Sequence, residues 1–255
     1  MDGSRRMTAY VAGIIIAVLA AAPTSVRAQA EVTDDLRYSI TPYGWLSGLS
    51  GTVGLGRVSS NVDLSAADVI KSLKFGIMGT AEVHRGAWLL VADGIYASLG
   101  DARTFAIRGD TGGLDLTQHE TIIQPMAGYT IGNEVASLDI LAGARYWNLS
   151  TTLDVDRAVR PSNERSMSQH WVDAIGGLRV RVVPYERVRL VAAVDGGGGG
   201  SRDSWQVYSS AGYDVWSQVT LGVAYRVLSV NYDRNDFLFD TRTKGFVVGA
   251  TFRSW

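Results

Sequence analysis

The feature that most constrains the fold is a period of two. Through most of the chain, apolar and polar residues alternate in segments of about ten residues, and no apolar run reaches the length of a membrane-crossing helix. Asp139 and Arg145 oppose Leu138, Ile140 and Tyr146 in parity. Asp173, Arg179 and Arg181 oppose Val172, Leu178, Val180 and Val182; Arg226 opposes Val219, Leu221, Val223 and Tyr225. Successive side chains of a strand point to opposite faces, so this pattern predicts strands with one apolar and one charged face. Period alone leaves two architectures open. A soluble sandwich turns the apolar face inward, whereas a membrane barrel turns it toward lipid.

Strands are predicted at Arg37–Leu49, Leu73–Arg85, Ala87–Leu99, Leu114–Ile131, Val135–Leu153, His170–Val183, Arg187–Gly197, Asp203–Val215, Gln218–Tyr232 and Lys244–Trp255. That is about ten strands, with eight the alternative, and an even number suits a barrel without an edge. The connections alternate in length. Arg85–Gly86, Gly132–Glu134, Pro184–Glu186 and Trp216–Ser217 read as tight turns, and Gly51–Ser72, Gly100–Gly113, Asp154–Gln169 and Asp233–Thr243 as long loops. Gly198–Arg202 is a short glycine-rich link. Within the first long loop, Ser65–Leu73 carries a capping serine and apolar residues at helical spacing, which predicts a short helix.

Composition and the start of the chain favour the membrane. Arg5 and Arg6 precede an apolar and small-residue run from Val11 to Ala22, and Ala28-Gln29-Ala30 fits the small-x-small cleavage rule. Residues 1–30 are therefore expected to be a signal peptide and residues 31–255 a barrel, with cleavage after Ala30. The chain has no cysteine, which rules out a disulfide or a lipoprotein anchor. It holds 24 Lys+Arg and 25 Asp+Glu. The signal contains Arg5, Arg6, Arg27 and Asp2, which leaves 21 basic and 24 acidic residues and no basic footprint for nucleic acid. Trp45, Trp88, Tyr96, Tyr129, Trp171, Trp205 and Tyr213 fall near strand ends, where aromatic girdles sit at membrane interfaces. The expected fold is an all-β, transmembrane, antiparallel up-and-down β-barrel of a Gram-negative outer membrane.

Several segments carry a resemblance. They are Thr41-Pro-Tyr-Gly-Trp-Leu46, Gly48-Leu-Ser-Gly-Thr-Val53, Phe75-Gly-Ile-Met-Gly79, Tyr96-Ala-Ser-Leu99, Asp195-Gly-Gly-Gly-Gly199 with Trp205-Gln206, Gly212-Tyr213, Gly222-Val-Ala-Tyr-Arg226 and Gly249-Ala-Thr-Phe-Arg253. Through them most of the chain resembles a family of largely uncharacterised proteobacterial outer-membrane β-barrel proteins. The resemblance implies the barrel and its membrane, and assigns no catalytic or ligand residue. Its members tend to end in aromatic-Arg-aromatic. Here Phe252-Arg253 is followed by Ser254-Trp255, so the terminal aromatic is displaced onto the other face and Phe252 is a candidate to act in its place.

The best candidate site is the charged face itself: Glu82, Asp93, Glu120, Asp139, Arg145, Asp173, Arg179, Arg181, Arg189 and Arg226, with Asp195 beside them. In a narrow bore these groups must pair, because a lone buried charge costs several kcal/mol. The expected function is an envelope or structural role with no open pore. The alternatives are a small-solute transporter or narrow channel gated by Gly51–Ser72, and a rim hydrolase using His119 or His170 with Asp115, Asp173, Ser166 or Ser168. His84 is expected to bond the Arg85–Gly86 turn. Asp154, Asp156 and Glu164 lack the spacing of a calcium loop, and Gly196–Gly200 lacks the Lys-Ser/Thr of a phosphate loop. No catalytic residue, metal or cofactor is assigned. The expected partners are outer-membrane lipid, the barrel-assembly machinery through the C-terminal strand, and a small solute if a path exists. Oligomeric state is not legible. Val180→Arg, on the lipid face, is expected to destabilise more than Arg226→Gln in the lumen.

Overall fold

The computed structural model describes residues 35–56, 58–107, 110–157 and 163–255; the expected signal peptide and its cleavage site lie outside them. Among the described residues there are eleven strands and one helix: β1 Leu36–Leu55, β2 Val58–Leu64, α1 Ala66–Ser72, β3 Leu73–Arg85, β4 Trp88–Ile107, β5 Asp110–Gly132, β6 Ala136–Arg157, β7 Asn163–Tyr185, β8 Val188–Gly199, β9 Asp203–Trp216, β10 Val219–Arg234 and β11 Phe237–Arg253. From β3 to β11 each strand pairs antiparallel with the next, and β11 returns to β1 in register from Ser39↔Arg253 to Leu55↔Phe237. Ten strands therefore close a barrel, and β2 is an extra strand folded back on the upper half of β1.

Closure removes the sheet edges that lipid cannot solvate. The outer surface carries an apolar band in which Ile77, Ile140, Leu178, Leu221, Val223 and Val248 are all exposed. At the short-turn end the Trp88 and Tyr129 rings meet edge to face at 5.4 Å, with exposed Tyr185, Tyr213 and Trp216 around them. An apolar belt bounded by aromatics, on the outside of a closed barrel, suits a hydrocarbon surround.

The strands are longer than the sequence pattern predicts. β5 and β7 each run 23 residues, against the ~9–11 that cross a bilayer at a tilt. The connections read as loops over Gly51–Ser72, Gly100–Gly113, Asp154–Gln169 and Asp233–Thr243 are largely strand. β1 runs on to Leu55 before β2 returns, and β10 turns into β11 through Asn235 and Asp236, both at positive φ. Segments of Thr, Ser and Asp have no apolar face to announce a strand, yet a ladder begun within the membrane continues beyond it. The predicted helix stands where expected. Ser65 Oγ accepts from the Asp68 amide and the Asp68 carboxylate accepts from the Ser65 amide, a complete capping box.

Candidate functional site

The inward positions of β6, read upward from the short-turn end, are Asp139, Leu141, Gly143, Arg145, Trp147 and Leu149. That order repeats around the bore as four stacked layers.

The lowest layer joins four charges. Arg179 ion-pairs with Glu82 and donates through Nε to Asp139 at 2.7 Å; Arg181 reaches the other Asp139 oxygen at 2.8 Å. Thr130 Oγ1 donates to Asp139 as well, at 2.7 Å. His84 Nε2 lies 3.2 Å from Glu82 Oε2, so its partner is this carboxylate and not the adjacent turn, as the sequence had implied. Above it Leu89, Met126, Leu141 and Ile175 form an apolar layer.

The third layer is one continuous network. Arg145 ion-pairs with Asp195, donates through Nε and Nη2 to Gln124 Oε1 at 3.0 and 2.7 Å, and through Nη1 to Ser204 Oγ at 2.7 Å. Gln124 and Gln206 both donate to the second Asp195 oxygen. Arg226 donates to Gln206 Oε1 at 2.7 Å, to Tyr43 OH at 2.8 Å and to Asp93 Oδ1 at 2.9 Å. Tyr43 OH and Thr80 Oγ1 complete the Asp93 shell, each at 2.8 Å. The lowest layer balances Arg179 and Arg181 against Glu82 and Asp139; this one balances Arg145 and Arg226 against Asp93 and Asp195. Such balance is what allows charges to be buried. Arg145, Asp139 and Asp173 are 0 % exposed.

The uppermost layer corrects the expectation of a wholly polar lumen. Trp45, Trp147, Trp171, Tyr232 and Phe239 face inward and are buried with Ile95, Ile122, Leu149, Leu228 and Val230. Trp171 stacks on Tyr232 at 4.2 Å and on Trp147 at 5.6 Å. Two of the seven residues assigned to membrane girdles, Trp45 and Trp171, are therefore lumen residues. The other five sit with the outward parity of their strands.

Other assigned positions fall as follows. Asp173, expected to face an arginine, instead accepts from Trp171 Nε1 at 3.2 Å and the Ser201 amide at 2.7 Å. Glu120 faces inward with Ile122 and Gln124. Arg189 lies at the short-turn mouth, where it and Arg253 hold Asp214 at 2.9 and 3.1 Å. His119 points outward and bonds Tyr96 OH at 3.0 Å; His170 is exposed on the outward face. The side chains of Asp115, Asp154, Asp156 and Glu164 lie outside the described residues. Among those described, no three metal-ligating groups converge. Phe252 is exposed on the outer wall, while Trp255 turns inward, its ring 6.0 Å from His84 and 5.5 Å from the Arg37 guanidinium carbon. The sequence reading missed Tyr43, Gln124, Ser204 and Gln206. Their inward parity was legible, but neutral residues give no charge signal.

A closed antiparallel barrel with an apolar outer belt and a polar-and-aromatic interior is a transmembrane β-barrel of the outer-membrane class. No family model and no curated protein sequence matches the chain. Among solved structures it is similar to the outer membrane protease OmpT of Escherichia coli, at 13% identity and TM-score 0.54 over 87% of this chain and 97% of that one. It also matches the translocator domain of the autotransporter NalP of Neisseria meningitidis, at 11% identity and TM-score 0.43 over 98% of this chain and 97% of that one. The likeness to OmpT is one of fold.

Proposed function

We propose that this protein is an integral outer-membrane barrel with an envelope role, inserted after removal of residues 1–30, whose lumen is closed. The observation that carries the reading is the complete burial of Arg145 and Asp139, each paired with opposite charge in a different layer of the bore. A water-sized sphere does not reach these groups, and opening the bore there means separating paired charges in a low-dielectric interior. The outward apolar band supports membrane insertion, and Phe252, exposed on β11, supports engagement of assembly machinery through the last strand. The protease activity named for OmpT is not carried over at this identity, and His119 is held against the outer wall by Tyr96.

The test is fractionation followed by electrophysiology. The mature protein is expected to start at Glu31, to fractionate with outer membranes, to migrate differently on gels before and after heating, and to give no steady conductance in a planar bilayer. Large, steady single-channel currents would exclude a closed lumen and favour a small-solute channel.

A further inference from the structure

The outward residues of β11, read upward from the short-turn end, are Phe252, Ala250, Val248, Phe246, Lys244 and Arg242. The lipid-facing run thus ends in two successive cations, both exposed. Lys244 lies nine residues up the strand from Arg253. At ~3.3 Å per residue and a tilt of ~35–45° that is roughly 23 Å up the wall, near the upper limit of the ~25 Å apolar band. Neither Lys244 nor Arg242 makes an ion pair among the described residues, although Asp240 is the next outward residue above them. Arg242 instead lies across Ser229, its guanidinium carbon 5.2 Å from the centre of the Trp205 ring. A cation stacked on an indole is held in place with its edge donors free.

Directly below the cations the outer wall is hollowed. Ser209 and Ala211 of β9 are small, and their cross-strand neighbours are large: Tyr225 and Val223 on β10, with Leu190 on β8 beside Ala211 and Phe246 on β11 beside Tyr225. Together they line a depression of about 320 Å³ that opens on the lipid side. Tyr225 and Phe246 meet edge to face at 5.3 Å and form its upper rim on the β11 side. Lys244 is the next outward residue above Phe246, roughly 7 Å along the strand. An apolar recess in the wall and an unpaired cationic pair at the membrane surface are therefore contiguous.

We infer that this face of β8–β11 is a docking site for one outer-leaflet glycolipid that carries a phosphomonoester, with an acyl chain in the Ser209–Ala211 recess and the phosphate on Lys244 and Arg242. This rests on the reading of the protein as an outer-membrane barrel. A phosphomonoester carries a charge of about −1.5 to −2 near neutral pH, which two cations match; a phosphodiester headgroup carries a single negative charge and leaves one cation uncompensated. The Arg242 fork suits phosphate oxygens, and Lys244 can extend upward to them from the apolar band. Insertion into phosphatidylcholine vesicles is checked first: a chain that stays soluble overturns the barrel reading and this site with it. The barrel in detergent is then titrated with diphosphoryl lipid A, and native mass spectrometry reads the bound fraction. One lipid is expected to be retained. R242Q/K244Q should weaken it at least several-fold, as should S209W/A211L, which fills the recess without touching the cations. R202Q, which removes an exposed arginine already paired with Asp233, should bind as the unsubstituted protein does. Phosphatidylglycerol, a phosphodiester, should be retained several-fold less. Unchanged affinity in either double variant, or phosphatidylglycerol held as tightly as lipid A, would overturn the site while leaving the barrel reading intact.

Discussion

Arg226 engages all three guanidinium nitrogens with residues of three other strands: Gln206 of β9, Tyr43 of β1 and Asp93 of β4. It also lies over the Trp45 ring at 5.0 Å. Removing one partner of a buried ion pair costs ~3–5 kcal/mol, because the remaining charge stays desolvated. An arginine on the lipid face at the midplane costs ~2–4 kcal/mol. Arg226→Met is therefore expected to destabilise the barrel at least as much as Val180→Arg in an unfolding titration, the reverse of the order that residue pattern alone implied for Arg226→Gln. Asp93→Asn should recover part of the loss in the Arg226→Met background; equal losses in single and double variants would mean that the pair is not the source. The inward placement of these charges was legible, because parity is a local property. Their partners were not. Arg226 reaches from β10 to Asp93 on β4, and Arg145 from β6 to Asp195 on β8, and no spacing along a chain reports a contact across a bore.

Among the elements, β3 was read from Leu73 to Arg85 as observed, since a helix precedes it and a glycine turn follows. The upper ends of β4 to β7 were read short, because their polar alternation carries no apolar face. The glycine run after Asp195 shows what a strand demands of a residue. A Cβ at Gly197 would stand 1.8 Å from the Ala174 carbonyl oxygen of the neighbouring strand, whereas one at Gly196 meets nothing nearer than 3.5 Å. Gly197→Ala is expected to lower the unfolding midpoint or block insertion, at ~1–3 kcal/mol or more, and Gly196→Ala to be tolerated; similar behaviour of the two would contradict the close approach. Helix α1 yields a pH prediction. Hydrogen bonds from the Ser65 hydroxyl and amide hold the Asp68 carboxyl below its usual range. A depressed acid stabilises above the ordinary carboxylate pKa of ~3.9, and that contribution is lost as pH falls through the folded value. Chemical shifts of Ala66–Ser72 should therefore stay helical at neutral pH and drift toward coil under acid, and Asp68→Asn should flatten the drift. A pH-independent helix in the unsubstituted protein would exclude a role for the box.

At the scale of the whole molecule, the proposed closure of the lumen rests on layers in series. Asp139, Leu141, Arg145 and Trp147 follow one another on the inner face of β6, and each belongs to a different layer: lower ion pairs, an apolar ring, the Arg145–Arg226 network and the stacked aromatics. A bore of about eight strands is filled by side chains, and ten strands widen it only slightly. One layer is then enough to stop ions. Trp147→Ala with Trp171→Ala hollows the top and leaves the Arg145 network beneath it. Arg145→Ala with Asp195→Ala removes a neutral pair from the network and leaves aromatics above and the Leu141 ring below. Neither double variant should conduct in a planar bilayer, while Trp fluorescence should report that each retains its remaining aromatics in place. Combining all four changes still leaves the Leu141 ring and the lower ion pairs, so no steady current is expected from that variant either. Steady conductance from either double variant would mean that a single layer holds the barrel shut, and that the charges around Arg145 or the aromatics above them form a gate.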